Sequence, residues 1–318
     1  MLIGIDVGGT KNELVLCEDD GRVRAHMIGP GTNASEFGEE TACRVVAEQV
    51  KALLKGYEDR PIAALHAGMA GGAAPQSKPI INALLRGYFP QIPRIGNDSD
   101  SLNGLYACVG VRDGMVVIAG TGTSAFVRQG GKLSQVGGWG YLIDDAGGGY
   151  AMGRAALNAA FRDYDGRGES TILTRLCEEK LGTSMAEGIP ALYRGGKRFV
   201  ADFALLALQA ADEGDGVALD IVGWTCDELA LLIRTCASRL SEPPYHVALC
   251  GSIWKSQRVL AGVAVRLGDD YCLMRATLPP VFGATVAAAE LAGLDWGDSF
   301  RDAFRQTLDT APMVTPGE

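Results

Sequence analysis

Leu2-Ile3-Gly4-Ile5-Asp6-Val7-Gly8-Gly9-Thr10 decides how this chain is read. A short apolar run, Leu2–Ile5, stops at an aspartate and turns through two glycines and a threonine. Glu13–Cys17 reads as the returning strand, Asp20-Gly21 as a hairpin, and Val23–Met27 as a third strand. A helix is expected over 35–54, then a strand at Ile62–Ala67, a helix at Pro79–Tyr88, and a strand at Pro93–Ile95 running into Gly96-Asn97-Asp98. The opening then repeats. Met115–Ala119 is a strand that ends at Gly120-Thr121-Gly122-Thr123, Ala125–Arg128 returns, Gly130-Gly131 is a hairpin, and Lys132–Val136 is the third strand. Each half thus reads strand, Gly/Thr turn, strand, glycine hairpin, strand, which is an internal repeat of supersecondary structure.

Beyond the repeat come the Gly137-Gly138-Trp139-Gly140 loop and a mainly helical stretch. Helical spacing is found over 151–161, 171–181, 202–212 and 217–240, followed by a buried strand at His246–Cys250, another at Tyr271–Met274, and a helix at Ala284–Ala292. Two α/β domains with a cleft between them are expected, one over 1–113 and one over 114–318, with the last helix returning to the first domain as an option.

Composition narrows the function. The 318 residues include 29 Lys plus Arg against 38 Asp plus Glu, a formal charge of −9, which gives no electrostatic footprint for nucleic acid or an anionic membrane. Hydrophobic residues make up 47%, enough for a sizeable core, and 43 glycines far exceed the usual ~7% of a chain. No apolar stretch reaches the length of a membrane span, and no signal-peptide pattern opens the sequence, so a cytoplasmic protein is expected. The eight cysteines contain no CxxC pair and stand beside only three histidines, so no zinc-ligand spacing occurs and they read as buried apolar groups.

Backbone amides at a strand-ending glycine turn can receive an anion, and a threonine hydroxyl adds a donor. One such turn is a common hairpin; two at matched positions of a repeat, facing each other across a cleft, would hold a polyphosphate without a lysine cluster. Neither turn is a Walker-A loop, and a second strand rather than a helix follows each, unlike the dinucleotide-binding fingerprint. Asp6 is either a turn cap or a Mg²⁺ ligand acting through water. Asp98 is either a helix N-cap or a general base for a substrate hydroxyl; Asp100 could serve as the cap instead.

Taken together, Gly4–Thr10, Gly120–Thr123, Gly137–Gly140 and Gly251-Ser252-Ile253-Trp254-Lys255-Ser256 resemble the actin-like (ribonuclease H-like) sugar kinase and ATPase superfamily. More narrowly, they resemble the N-acetylglucosamine kinases within the BadF/BadG/BcrA/BcrD ATPase family. The likeness runs from about residue 2 to about 291. It implies two actin-like domains from an internal duplication, a homodimer, and a kinase that uses ATP and Mg²⁺ to phosphorylate the 6-hydroxyl of an amino sugar, most simply N-acetylglucosamine. It assigns the metal-bound phosphates to Asp6, and nucleotide contacts to Gly8, Gly9, Thr10, Lys11, Gly120, Thr121, Gly122 and Thr123. Gly251, with Ala210 as a neighbour, falls beside the adenosine. Asp98 matches the catalytic aspartate. Asn33, Ser124, Gly138, Trp139, Gly140 and Asp145 match sugar-binding positions, with Asp144 a one-residue alternative to Asp145. Two departures stand at the sugar: Ser124-Ala125 where the family often has Ser-Asn, and Ala146 where the kinases usually have glutamate. They leave open glucosamine, N-acetylmannosamine, N-acetylmuramic acid and glucose as acceptors. The competing readings are an ATPase that activates a partner enzyme and a sugar sensor that consumes no ATP.

Overall fold

The structure is a computed structural model and describes residues 1–72 and 76–315. It divides into two compact units, one formed by 1–112 with 276–318 and the other by 113–275. In the first, β1 (Leu2–Val7), β2 (Lys11–Cys17) and β3 (Val23–Pro30) form an antiparallel meander. After α1 (Ala34–Phe37) and α2 (Glu39–Leu53), β4 (Ala64–Met69) lies parallel to β1. Then α3 (Ser77–Tyr88) crosses to β5 (Ile95–Asp98), parallel to β4, and α4 (Asn103–Val109) follows. The helix expected over 35–54 is broken at Gly38, whose φ of 81° no helix accommodates.

The second unit repeats this plan. A meander of β6 (Gly114–Ala119), β7 (Thr123–Gln129) and β8 (Lys132–Val136) precedes five helices: α5 (Gly149–Tyr164), α6 (Leu173–Leu181), α7 (Met185–Ala201), α8 (Ala204–Asp212) and α9 (Gly216–Ala237). Next come β9 (Tyr245–Cys250), α10 (Gln257–Leu267) and β10 (Tyr271–Arg275). β9 lies parallel to β6, and β10 parallel to β9. The strand orders β3-β2-β1-β4-β5 and β8-β7-β6-β9-β10 are the same, so the internal repeat holds in three dimensions. Periodicity alone does not reveal α7, because it contains Pro190 and loses helical geometry at Gly196.

The chain then returns to the first unit as α11 (Pro280–Ala292), α12 (Asp298–Leu308) and β11 (Met313–Val314), the last paired with β3. The second unit therefore ends at Arg275, well short of the 318 expected, and what comes back is two helices and a strand. The cause is burial: Val281 to Ala289 are all buried, as an all-round apolar helix requires. Side chains on β1 alternate between two cores. Ile3, Ile5 and Val7 meet α2 and α3, while Leu2 meets α11 and α12. A Cβ on Gly4 would strike Thr285, so the glycine permits α11 to lie directly on β1. In the second unit β6 and β7 pack against α5, α8 and α9, and the Trp254 indole donates to the Val117 carbonyl at 3.1 Å.

Candidate active site

The turn joining β1 to β2 is three residues long, Gly8 to Thr10, and so is the turn joining β6 to β7, Gly120 to Gly122. In the first, the Gly8 amide donates to the Lys11 carbonyl and the Gly8 carbonyl accepts the Thr32 amide, both at 3.0 Å. Gly31 lies against this turn so closely that a Cβ would strike the Thr10–Lys11 backbone. Buried Asn12 braces the contact, donating to Gln49 at 2.9 Å while its Oδ1 faces the Thr32 amide. Gly9 and Thr10 are exposed. The Lys11 ammonium is held by Glu13 Oε2 at 2.8 Å. Asn33 caps α1, its Oδ1 accepting the Ser35 amide at 2.9 Å.

Asp6, Gly68 and Asp98 occupy one rung across β1, β4 and β5. Adjacent strands lie about 4.8 Å apart, so the two carboxylates stand on one face, two strand spacings from each other. The space over Gly68 between them is filled by Asn103: a Cβ on that glycine would strike its amide. Asn103 Nδ2 donates to Asp6 Oδ1 at 2.6 Å. Burial above all, with the charges of Asp100 and Glu13, pushes the Asp6 carboxyl up to about 6 against that hydrogen bond. Such a group gains from a nearby cation. Among the described residues no three His, Cys, Asp or Glu side chains converge on one point. That donor set fits Mg²⁺, which is commonly held by one or two carboxylates with water and substrate phosphates.

Asp98 ends β5 and caps nothing. Ser99 caps the 3₁₀ turn that follows, so Asp98 is released from the N-cap reading. The Tyr106 hydroxyl donates to its Oδ2 at 2.8 Å, and the Lys78 ammonium pairs with its Oδ1. His66 stands edge-on to Tyr106, with ring centroids 5.9 Å apart. Burial pushes this histidine down to about 4, leaving it neutral near pH 7. Asp98, Lys78, His66, Asn82, Arg86 and Glu290 are among the residues lining a cavity of about 810 Å³ in this unit.

In the second turn the Gly120 and Thr121 carbonyls accept the Gly149 and Tyr150 amides, at 2.7 and 2.8 Å, and so dock the start of α5. Asp145 lies beneath: its Oδ1 accepts the Thr123 amide at 3.0 Å and its Oδ2 faces the Lys197 ammonium at 2.9 Å. Gly251, at φ 107°, ends β9 so close to the turn that a Cβ would strike the Ala119 carbonyl. Gly138 packs directly on Ser124, and Trp139 beside it is 63% exposed. Asp144 closes the loop onto Gly140, its amide donating to that carbonyl at 2.7 Å.

The structure thus gathers Asp6, Gly8, Gly9, Thr10, Asn33 and Asp98 about one end of the first sheet. In the second unit, Gly120 to Ser124, Gly138, Asp145 and Gly251 cluster about the matching turn. Ala210 is a correction: it has no accessible surface in the helical core and offers nothing to a nucleotide. Asn103, Tyr106, Lys78 and Lys197 escape a reading of the sequence. The Gly195-Gly196 pair ahead of Lys197 is the one local signal for any of them.

The model of the BadF/BadG/BcrA/BcrD ATPase family matches residues 3–286. The chain belongs to this family. Other BadF/BadG/BcrA/BcrD-like proteins resemble it over most of their length. An N-acetylmuramic acid/N-acetylglucosamine kinase of Clostridium acetobutylicum is 31% identical over 78% of this chain and 83% of its own. An N-acetyl-D-glucosamine kinase of Dictyostelium discoideum is 24% identical over 91% of this chain and 97% of its own. The fold matches the crystal structure of a candidate N-acetylglucosamine kinase from Chromobacterium violaceum, with a TM-score of 0.64 and 23% identity over 92% of this chain and 98% of that one. In this BadF/BadG/BcrA/BcrD chain no helix among the described residues is long and apolar enough to cross a membrane.

Proposed function

We propose that this chain is an ATP-dependent kinase that phosphorylates the 6-hydroxyl of an amino sugar, N-acetylglucosamine first among them. The observation that carries the reading is Asp98: a carboxylate at a strand end, on one rung with Asp6, with one oxygen held by the buried Tyr106 hydroxyl. The names of the relatives support the acceptor class. Asp98 accepts the proton of the acceptor hydroxyl as its oxygen bonds to the γ-phosphorus and the bond to the ADP oxygen breaks; the proton then passes to solvent.

Gly8, Gly9, Thr10 and Lys11 and the second turn, Gly120 to Thr123, receive phosphate oxygens through amides and hydroxyls, and Gly251 lies at the adenosine. Asp6 would hold Mg²⁺ through water. Mg²⁺, when bound, neutralises charge on the phosphates. Asn33, Ser124, Gly138, Trp139 and Gly140 contact the sugar. Asp145, or Asp144 one residue before it, meets the sugar hydroxyls; Asp145 Oδ1 also supports the second turn through the Thr123 amide. The same reading has the enzyme in the cytoplasm as a homodimer.

The test is ADP release with ATP and Mg²⁺ against hexoses and amino sugars, with a no-sugar control. Turnover with N-acetylglucosamine supports the proposal, and turnover with another sugar alone keeps the kinase and changes the acceptor. ADP release independent of any sugar overturns it in favour of an ATPase that activates a partner.

A further inference from the structure

Both carboxylate oxygens of Asp98 are occupied, and their two partners differ in freedom. Tyr106, on Oδ2, has no accessible surface and is packed against His66. Lys78, on Oδ1, has a side chain 47% exposed, while its backbone is pinned: the Asn97 side chain donates to the Lys78 carbonyl at 3.1 Å. The first turn of α3 is thereby tied to β5 next to Asp98, and only the lysine's flexible stem can move. A hydrogen bond from a buried hydroxyl to a carboxylate is hard to exchange. A half-exposed ion pair contributes little and opens readily.

We infer that Tyr106 is a fixed positioning residue for Asp98 and that Lys78 is a displaceable gate, its ammonium holding on Oδ1 the hydrogen-bonding position that the acceptor hydroxyl takes. The inference rests on the kinase reading and adds to it the event that must precede transfer. The acceptor competes with the ammonium for one oxygen, so Lys78 sets acceptor affinity while Tyr106 sets the rate. Once displaced, the stem extends into solvent or along the cavity it already lines.

The test uses the full chain, titration calorimetry with N-acetylglucosamine, and steady-state ADP release for Lys78→Met, Lys78→Arg and Tyr106→Phe. Lys78→Met is expected to bind the sugar about two- to fivefold more tightly, the range of a part-exposed ion pair, with a matching fall in KM. Lys78→Arg, which keeps the charge, restores the weaker affinity. Tyr106→Phe lowers kcat about tenfold with sugar affinity unchanged, a split that a purely structural tyrosine would not give. Equal or weaker binding by Lys78→Met, or an unchanged kcat in Tyr106→Phe, overturns the inference. A wild-type chain that binds the sugar yet releases no ADP overturns the kinase reading instead, and the affinities of the Lys78 variants still decide the gate.

Discussion

Asn103, the first residue of α4, holds Asp6 at the end of β1, its Nδ2 donating to Oδ1 at 2.6 Å. The same helix carries Tyr106, which holds Asp98. One two-turn helix therefore orients two carboxylates at the end of the first sheet, the one read as the metal's and the one read as the base. Asn103→Ala should raise the Mg²⁺ and ATP concentrations needed for half-maximal activity by about 10-fold, the usual scale for removing a group that orients a metal ligand. The sugar KM should stay in place; Mg²⁺ and sugar titrations of the variant check the split.

Asp98→Asn removes the proton acceptor while preserving shape. Turnover should fall by about 10²–10⁴, the range for general-base catalysis, with ATP binding intact by nucleotide titration. Full turnover in this variant would exclude Asp98 from the transfer.

Asp145 separates two roles. As the anchor of the second turn, its change to Ala frees the Thr123 amide and unpairs Lys197, and ATP affinity should fall about 10-fold with sugar affinity little altered. A loss confined to the sugar would return Asp145 to the acceptor site.

His66 gives the pH dependence. Burial lowers it from an ordinary 6.5 to about 4, with the Asp98 charge opposing and Lys78 assisting. Folding thus favours the neutral ring. Its contribution to stability is complete above about pH 6.5 and is lost as pH falls toward 4, a change on the order of 2–3 kcal/mol. Between pH 7 and 4.5 the wild-type melting temperature should drop more steeply than that of His66→Gln, as a thermal-shift series would record; parallel curves would exclude the histidine as the cause.

Gly251→Ala places a Cβ against the Ala119 carbonyl at a φ of 107°. It should cost about 1–3 kcal/mol of stability and weaken ATP binding while leaving the first unit's sugar contacts alone. Calorimetric melting and nucleotide titration together check both halves.

Both three-residue turns are legible in the sequence, because an apolar run that stops at a glycine cluster and restarts leaves a strand few other options. The repeat follows from the same signal read twice. Asn103 and Tyr106 are not legible: a buried polar residue on a short helix shows its purpose only when its partner on another strand is known. Nothing local to Lys78 ties it to Asp98, a residue twenty positions on. Resemblance carries Ala210 to the nucleotide, but accessibility depends on how α8 packs, which one chain's pattern does not give. The return of the last helix is legible only as an option, for a related reason. Periodicity marks a helix as apolar without naming the sheet it covers.

That return sets an order on synthesis. The face of the first sheet that carries Leu2 and Ala64 is covered by α11 and α12, whose residues leave the ribosome after the whole second unit, whereas 113–275 emerge as one uninterrupted stretch. The first unit is thus begun before the second and completed after it, and until α11 and α12 arrive it leaves the Leu2 and Ala64 face uncovered. A nonsense mutation between positions 276 and 280 would leave the second unit whole and strand the first, the unit that holds Asp98.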